Sequence, residues 1–151
     1  MENWVNELES AKEHFKRADH MAYVTFSLLK ENRLLVKIVS ELALSLRALI
    51  KAFLLYEYSF KRIQLYKDPV RNLKTFIERV APRYVEGEDL KNIIRVLKIA
   101  KNHEKAEVEF VKKEKLVMLI GGRYETLEMD NVKALLNSVK RILSKFPEEK
   151  V

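Results

Sequence analysis

At 151 residues, with three glycines, three prolines and no cysteine, the chain has the length of one domain, and a domain of this size buries roughly 68–70% of the surface its unfolded chain exposes. The missing thiols exclude a disulfide framework, thiolate catalysis and cysteine-based metal sites, and 29 basic against 22 acidic side chains leave a formal charge of +7. The longest apolar stretch, Leu34 to Tyr66, is cut by Lys37, Glu41, Arg47, Lys51 and Glu57, so no run reaches the ~18 uncharged residues of a membrane span.

The first residues show no basic segment leading into an apolar run, so no export signal is expected and the cytoplasm is the default location. High Lys, Arg and Glu content with a single glutamine, Gln64, points to a thermophilic source.

Trp4, Leu8, Ala11, Phe15, Ala18, Ala22, Thr25 and Leu29 recur at steps of four and three, which predicts one long helix with a single apolar seam. Glu31-Asn32-Arg33 interrupts the pattern and predicts a tight turn. From Leu34 to Tyr66 a second helix is expected, apolar over most of its circumference, with twelve apolar residues among the fifteen from Leu42 to Tyr56. Such a helix must be covered on several sides. Its one candidate water-facing stripe is Lys37, Ser40, Leu44, Arg47, Lys51, Leu54, Tyr58 and Lys61, and the three apolar members suggest that a second copy pairs along this helix.

Asp68 before Pro69 reads as an N-cap with proline in the first turn, opening a short helix with Leu73, Phe76, Ile77 and Val80 inward and stopping before Pro82. Gly87-Glu88-Asp89 leads into a further helix with Leu90, Ile93, Ile94, Leu97 and Ala100 inward and Lys91, Arg95, Lys98 and Lys105 outward. The period then changes. Leu116 to Ile120 is a continuous apolar run, Gly121-Gly122 supplies two residues free to take positive φ, and Arg123 to Met129 alternates, which predicts a β-hairpin with Val117 facing Thr126 and Leu119 facing Tyr124. Val108 to Val111 is a candidate third strand. Asp130 is the expected cap of a last helix whose inner face is Val132, Leu135, Leu136, Val139, Ile142, Leu143 and Phe146. The expected fold is therefore mainly α: a single bundle over 1–151 with two long antiparallel N-terminal helices, shorter helices, and a hairpin at about 116–128 within an insertion at about 108–129.

No motif for chemistry stands out. His14 and His20 lie six apart on one helix and do not share a face, so no metal pair forms and no metal is expected. Asp19 and His20 are adjacent and point about 100° apart, which fits a solvated surface better than a base with its orienting carboxylate. With three glycines there is no phosphate-cradling loop, and no cofactor is expected. Glu41 and Glu57 fall in the apolar helix, where an unpaired carboxylate is costly. Lys37 or Ser45 is the expected partner of Glu41, and Lys61 that of Glu57.

Charge distribution is the one feature above background. Residues 1–60 hold eight basic and eight acidic side chains, and residues 61–151 hold 21 and 14, so the whole excess lies in the second part. Lys61, Arg62, Lys67, Arg71, Lys74, Arg79 and Arg83 are opposed only by Asp68 and Glu78, with Tyr66 and Tyr84 at hand. If the two short helices lie side by side, Lys91, Arg95 and Lys98 extend this surface. Cations release counterions from phosphates and tyrosines stack on unpaired bases, so Lys67, Arg71, Lys74, Arg79, Arg83, Lys91, Arg95 and Lys98 are the candidate RNA-binding residues. The simpler account is a solvated basic face.

The seam helix from Glu2 to Leu29, the apolar helix running Glu41-Leu42-Ala43-Leu44-Ser45 to Tyr56-Glu57-Tyr58, and the Tyr66-Lys67-Asp68-Pro69 junction resemble a group of small archaeal proteins that in turn resemble the HEPN superfamily of helical bundles. Catalytic HEPN members are metal-independent ribonucleases that act as dimers and carry an Arg and a His separated by four to six residues. Here seven residues separate Arg95 from His103 and two separate Arg17 from His20, so no catalytic residue is carried over. The resemblance implies a dimeric bundle linked to RNA. The expected function is a non-catalytic homodimeric interaction module binding RNA through 61–105. The alternatives are a ribonuclease using Arg95 for phosphate charge and His103 for proton transfer, or a protein-only, antitoxin-like partner.

Overall fold

Leu8, Ala11 and Ala18 are buried along one side of α1 (Trp4–His20), and the same side continues through a wide turn (Met21–Thr25) into the one-turn helix α2 (Phe26–Leu29). The computed structural model describes residues 4–105, 108–112 and 115–147. The wide turn is a π turn, closed by Phe26 N–H donating to Met21 O. It holds one residue more than an α turn, so the seam keeps Ala22 as expected and then continues through Phe26 rather than through Leu29. Leu29 is left outside. Lys30 then takes a left-handed conformation (φ 50°) and ends the helix.

After the turn at 31–33, α3 (Leu34–Ser59) runs back along α1. Lys51 meets Glu7 at 3.2 Å, Ser45 Oγ donates to Ala11 O at 2.7 Å, and His14 meets Glu41 at 2.7 Å, so rising numbers on one helix face falling numbers on the other. The pair is antiparallel, as expected. Fifteen residues of α3 are buried, including Leu54, which the sequence places on the wet stripe. The chain itself covers this helix, and Leu44 and Tyr58 are its exposed large apolar side chains.

The helix stops at Ser59, seven residues before the expected end. Lys61 adopts φ 59°, and Arg62 N–H donates to Glu57 O while Lys61 N–H donates to Tyr58 O. This is the Schellman arrangement with lysine in the place glycine usually holds, and it turns 60–68 across the end of α3. Asp68 then caps α4 (Pro69–Thr75), its carboxylate accepting from Val70 N–H at 3.0 Å. A second π turn (Phe76–Val80) follows and leads into α5 (Ala81–Tyr84), so the helix passes through Pro82 rather than stopping before it. In a regular α-helix the proline ring would strike the carbonyl of Glu78. The wider turn, closed by Ala81 N–H donating to Phe76 O, gives it room.

α6 (Gly87–Lys105) packs on α3 and α7 (Met129–Ser144). Its buried stripe is Asp89, Ile93, Val96 and Ala100, with Ile99 beside it, and Ile94 points outward, contrary to expectation. The reason lies in Asp89, whose carboxylate is held by Arg141 and Ser138 of α7 and so fixes the rotation of α6. Between these helices, β1 (Val108–Lys112), β2 (Lys115–Ile120) and β3 (Arg123–Leu127) form an antiparallel sheet in the order β1-β2-β3. Val117 pairs with Thr126 and Leu119 with Tyr124 across a two-residue turn in which Gly121 and Gly122 both have positive φ, as the sequence predicts. Leu116, Met118 and Leu127 join the helical core. The cap of α7 is Glu128 in a reciprocal box with Asn131, and Asp130 is the second residue of the helix, inside its first turn.

An aromatic cluster closes one end of the core. Phe53 lies 4.8 Å from Phe146, 5.0 Å from Tyr84 and 5.9 Å from Phe76, ring centre to ring centre, and Trp4 and Tyr56 pack on Phe146.

Candidate functional site

The irregular segment 60–68 is fixed at both ends. The Schellman turn holds its start, and Asn72 of α4 clamps Tyr66 by accepting from its N–H at 2.8 Å and donating to its carbonyl at 2.7 Å. Between this segment and the Thr75–Arg79 side of the following helix lies a cleft of about 450 Å³ lined by Lys61, Arg62, Ile63, Gln64, Tyr66, Thr75 and Arg79. Three cations line it and no carboxylate does. One face of the Tyr66 ring is covered by Arg71, whose guanidinium carbon is 3.9 Å from the ring centre.

Behind the cleft sits Glu57, 1% exposed. Arg62 donates to it at 2.7 Å, Arg83 at 3.0 Å and the Tyr84 hydroxyl at 3.2 Å. Two guanidinium groups against one carboxylate leave this group with a surplus positive charge. The bond to Glu57 raises the Arg62 pKa further, and burial, followed by the negative charge of Glu57, pushes the Tyr84 hydroxyl above the ordinary phenol value. Both groups therefore keep their protons at neutral pH. Lys61, the partner expected for Glu57, is instead turned into the cleft by its own left-handed backbone.

Of the candidate RNA-binding residues, Arg79 lines this cleft, Lys67 and Lys74 are exposed nearby in sequence, and Arg71 is engaged with Tyr66. Lys61, Lys67, Lys74 and Arg79 have no ion-pair partner among the described residues. Arg83 is tied to Glu57, yet remains about half exposed beside a small hollow with Lys145 and Glu86. Lys91, Arg95 and Lys98 line a different cleft, of about 600 Å³, between α6 and the sheet, where Glu88 and Glu125 share the lining. The two short helices do not form one slab. The 69–84 segment packs mainly on α3, and α6 packs mainly on α3 and α7. Lys105 falls outside the described side chains.

The structure does not bring Arg95 and His103 together. Eight residues on one helix put them about 12 Å apart along its axis, and His103 is bonded instead to Glu109 of β1. His14 makes a contact the sequence reading missed: it bonds Glu41 across the α1–α3 seam, with Arg17 at 3.2 Å from the same ring nitrogen. Neither Lys37 nor Ser45 is the partner of Glu41, because Ser45 is turned towards Ala11 O. The His14 pairing joins residues 27 apart, a distance at which helical spacing rules give no signal. Among the described residues no group of three or more His, Asp or Glu side chains is placed to hold a metal ion. Among the same residues no helix is long and apolar enough to cross a membrane.

The chain matches no protein-family model, no curated protein and no solved structure.

Proposed function

We propose that the protein is a non-catalytic cytoplasmic module that binds single-stranded RNA, with the cleft between 61–66 and Thr75–Arg79 as its phosphate-holding site. The observation that supports this most is the lining of that cleft: Lys61, Arg62 and Arg79 with no acidic side chain among them. The α6 cleft differs in this respect, since Glu88 and Glu125 share its lining with Lys91, Arg95 and Lys98.

A phosphodiester suits this geometry for three reasons. Three cations converge on a space large enough for a nucleotide. The buried Glu57 is already matched by two arginines, so it repels no incoming anion. Tyr66, stiffened by Arg71 on one face and by Asn72 at its backbone, offers a plane beside the cations on which an unpaired base stacks. Lys67 and Lys74 lengthen the positive track.

The test is fluorescence anisotropy with a short labelled single-stranded RNA. Three phosphate contacts give a salt slope of roughly −2, so affinity is expected to fall about 20-fold between 50 and 200 mM salt. The double variant Lys61→Glu/Arg79→Glu is expected to lose at least tenfold in affinity while the RNA is recovered intact from wild type. Equal affinity of variant and wild type, or no binding at low salt, would remove the reading.

A further inference from the structure

Two of the three cations in the cleft between 61–66 and Thr75–Arg79 are held in place before any ligand arrives. Lys61 keeps a left-handed backbone (φ 59°), which glycine would adopt without a side-chain penalty, and that conformation turns its side chain into the cleft. Backbone outliers of this kind cluster at ligand clamps. Arg62 is fixed on two sides: Glu57 takes one of its N–H groups at 2.7 Å, and its guanidinium carbon lies 4.8 Å from the centre of the Phe60 ring. A guanidinium carries five N–H donors, so most of the Arg62 fork is left for a ligand. Arg79 enters from the opposite wall, and Gln64 adds a neutral amide with no partner among the described residues.

These donors crowd one space of about 450 Å³, room for a single nucleotide unit. An internal phosphodiester brings to it a single negative charge and a pair of free oxygens. A terminal phosphate monoester brings about 1.5 to 2 negative charges at neutral pH and three strong acceptor oxygens. Three cations and an amide, with no carboxylate among them, match the monoester better. Tyr66 favours the same end of a strand. Arg71 covers one face of its ring, the guanidinium carbon 3.9 Å from the ring centre, so one face is left for a base. A plane open on one side ends a stack of bases and cannot sit between two of them.

We infer that the cleft recognises the phosphorylated end of an RNA strand: Lys61, Arg62 and Arg79 hold the terminal phosphate monoester, and the terminal base stacks on the free face of Tyr66. The inference rests on the RNA reading above and adds which part of the strand is read. Lys67, next to Tyr66 in the chain, and Lys74 on α4 are both exposed and take the phosphates that follow. A 5′ and a 3′ phosphate share this chemistry, so the experiment separates them.

Fluorescence anisotropy on the full chain uses four versions of one labelled single-stranded RNA: hydroxyl at both ends, phosphate at the 5′ end, phosphate at the 3′ end, and hydroxyl at both ends with one more nucleotide. The last carries as many phosphates as the phosphorylated strands, which removes the effect of charge number alone. At least one phosphorylated strand is expected to bind about tenfold tighter than this longer strand, and the tighter one identifies the end that is read. Arg79→Gln and, separately, Lys61→Gln are expected to abolish the preference with wild-type circular dichroism, since both side chains are exposed. Lys140→Gln, which removes the same charge from α7 outside the cleft lining, is expected to keep it. Binding of all four strands with equal affinity overturns the inference and leaves the RNA reading in place, whereas no binding of any strand removes both. A preference that survives both cleft variants also overturns the inference.

Discussion

Glu57 and Arg83 are 26 residues apart in sequence, yet the Arg83 guanidinium reaches the buried Glu57 carboxylate at 3.0 Å, because the π turn before Pro82 lets one helix carry through to Arg83 and Tyr84. Glu57 thus ties the end of α3 both to the loop that follows it, through Arg62, and to α5.

Replacing Glu57 by Gln is expected to separate folding from binding. The amide keeps the shape and loses the charge-assisted bonds, a cost of about 1.5–3 kcal/mol in urea unfolding. Arg62, already in the cleft lining, at the same time loses the carboxylate that partly neutralises it, so RNA affinity at low salt is expected to rise. Loss of both stability and affinity would show that Glu57 serves chiefly to shape the cleft.

Lys61→Gly is expected to act in the opposite sense. The left-handed backbone at φ 59° costs a side-chain-bearing residue about 1–2 kcal/mol, and the greater freedom of glycine in the unfolded chain returns about 0.5–1 of it. A net gain of about 0.5–1 kcal/mol is expected in thermal or urea unfolding. RNA binding weakens, and its salt slope becomes shallower by about 0.7.

Asp89 makes the fold sensitive to acid. Its bonds to Arg141, and then to Ser138, hold the carboxyl below its ordinary range against the opposing effect of burial. A group with a depressed folded-state pKa stabilises fully above the unfolded value, about 3.9 for Asp, and that stability is lost as pH falls through the folded value. Asp89→Asn is therefore expected to lower the melting temperature at pH 7, and the gap to wild type should begin to narrow only below about pH 4 and shrink further as melts are taken more acidic. A gap independent of pH would mean that packing, not charge, sets the effect.

Gly122→Ala probes the hairpin. At φ 78° an added methyl group meets nothing within 4 Å, so the penalty is that of the backbone alone, about 1–2 kcal/mol. For a chain of this length that lowers the melting temperature by about 2–8 °C, and Gly122→Asn, which tolerates this conformation, is expected to lose less.

The parts of this fold that follow from local chemistry are the parts the sequence announces. Gly121-Gly122 between two alternating runs sets the hairpin and its register, and Asp68-Pro69 sets the start of α4. What resists reading depends on distant partners. Nothing near Lys61 signals a left-handed residue, because the usual glycine is absent and the turn is held by carbonyls of α3. Ile94 and Val96 both suit an inner face of α6, and only the Asp89–Arg141 bond to another helix chooses between them. The π turn at Met21–Thr25 has no compositional mark, and Pro82, which the second one accommodates, reads locally as a stop. At the cleft, the surplus of cations is plain in the sequence, but which of them are neutralised is not, since Glu57 is matched by Arg62 and Arg83 and not by Lys61, the partner one turn away.

The antiparallel pairing of α1 with α3 also bears on the order of assembly. Residues 21–33 join those two helices, and their mutual contacts need nothing beyond Ser59, so they form before the sheet or α7 is needed. As the chain leaves the ribosome, the carboxylate of Glu57 is made well ahead of Arg83, and until α5 emerges it must stay hydrated or lean on Arg62 alone. The last stretch of α3 thus receives its second guanidinium only from a residue that arrives from downstream.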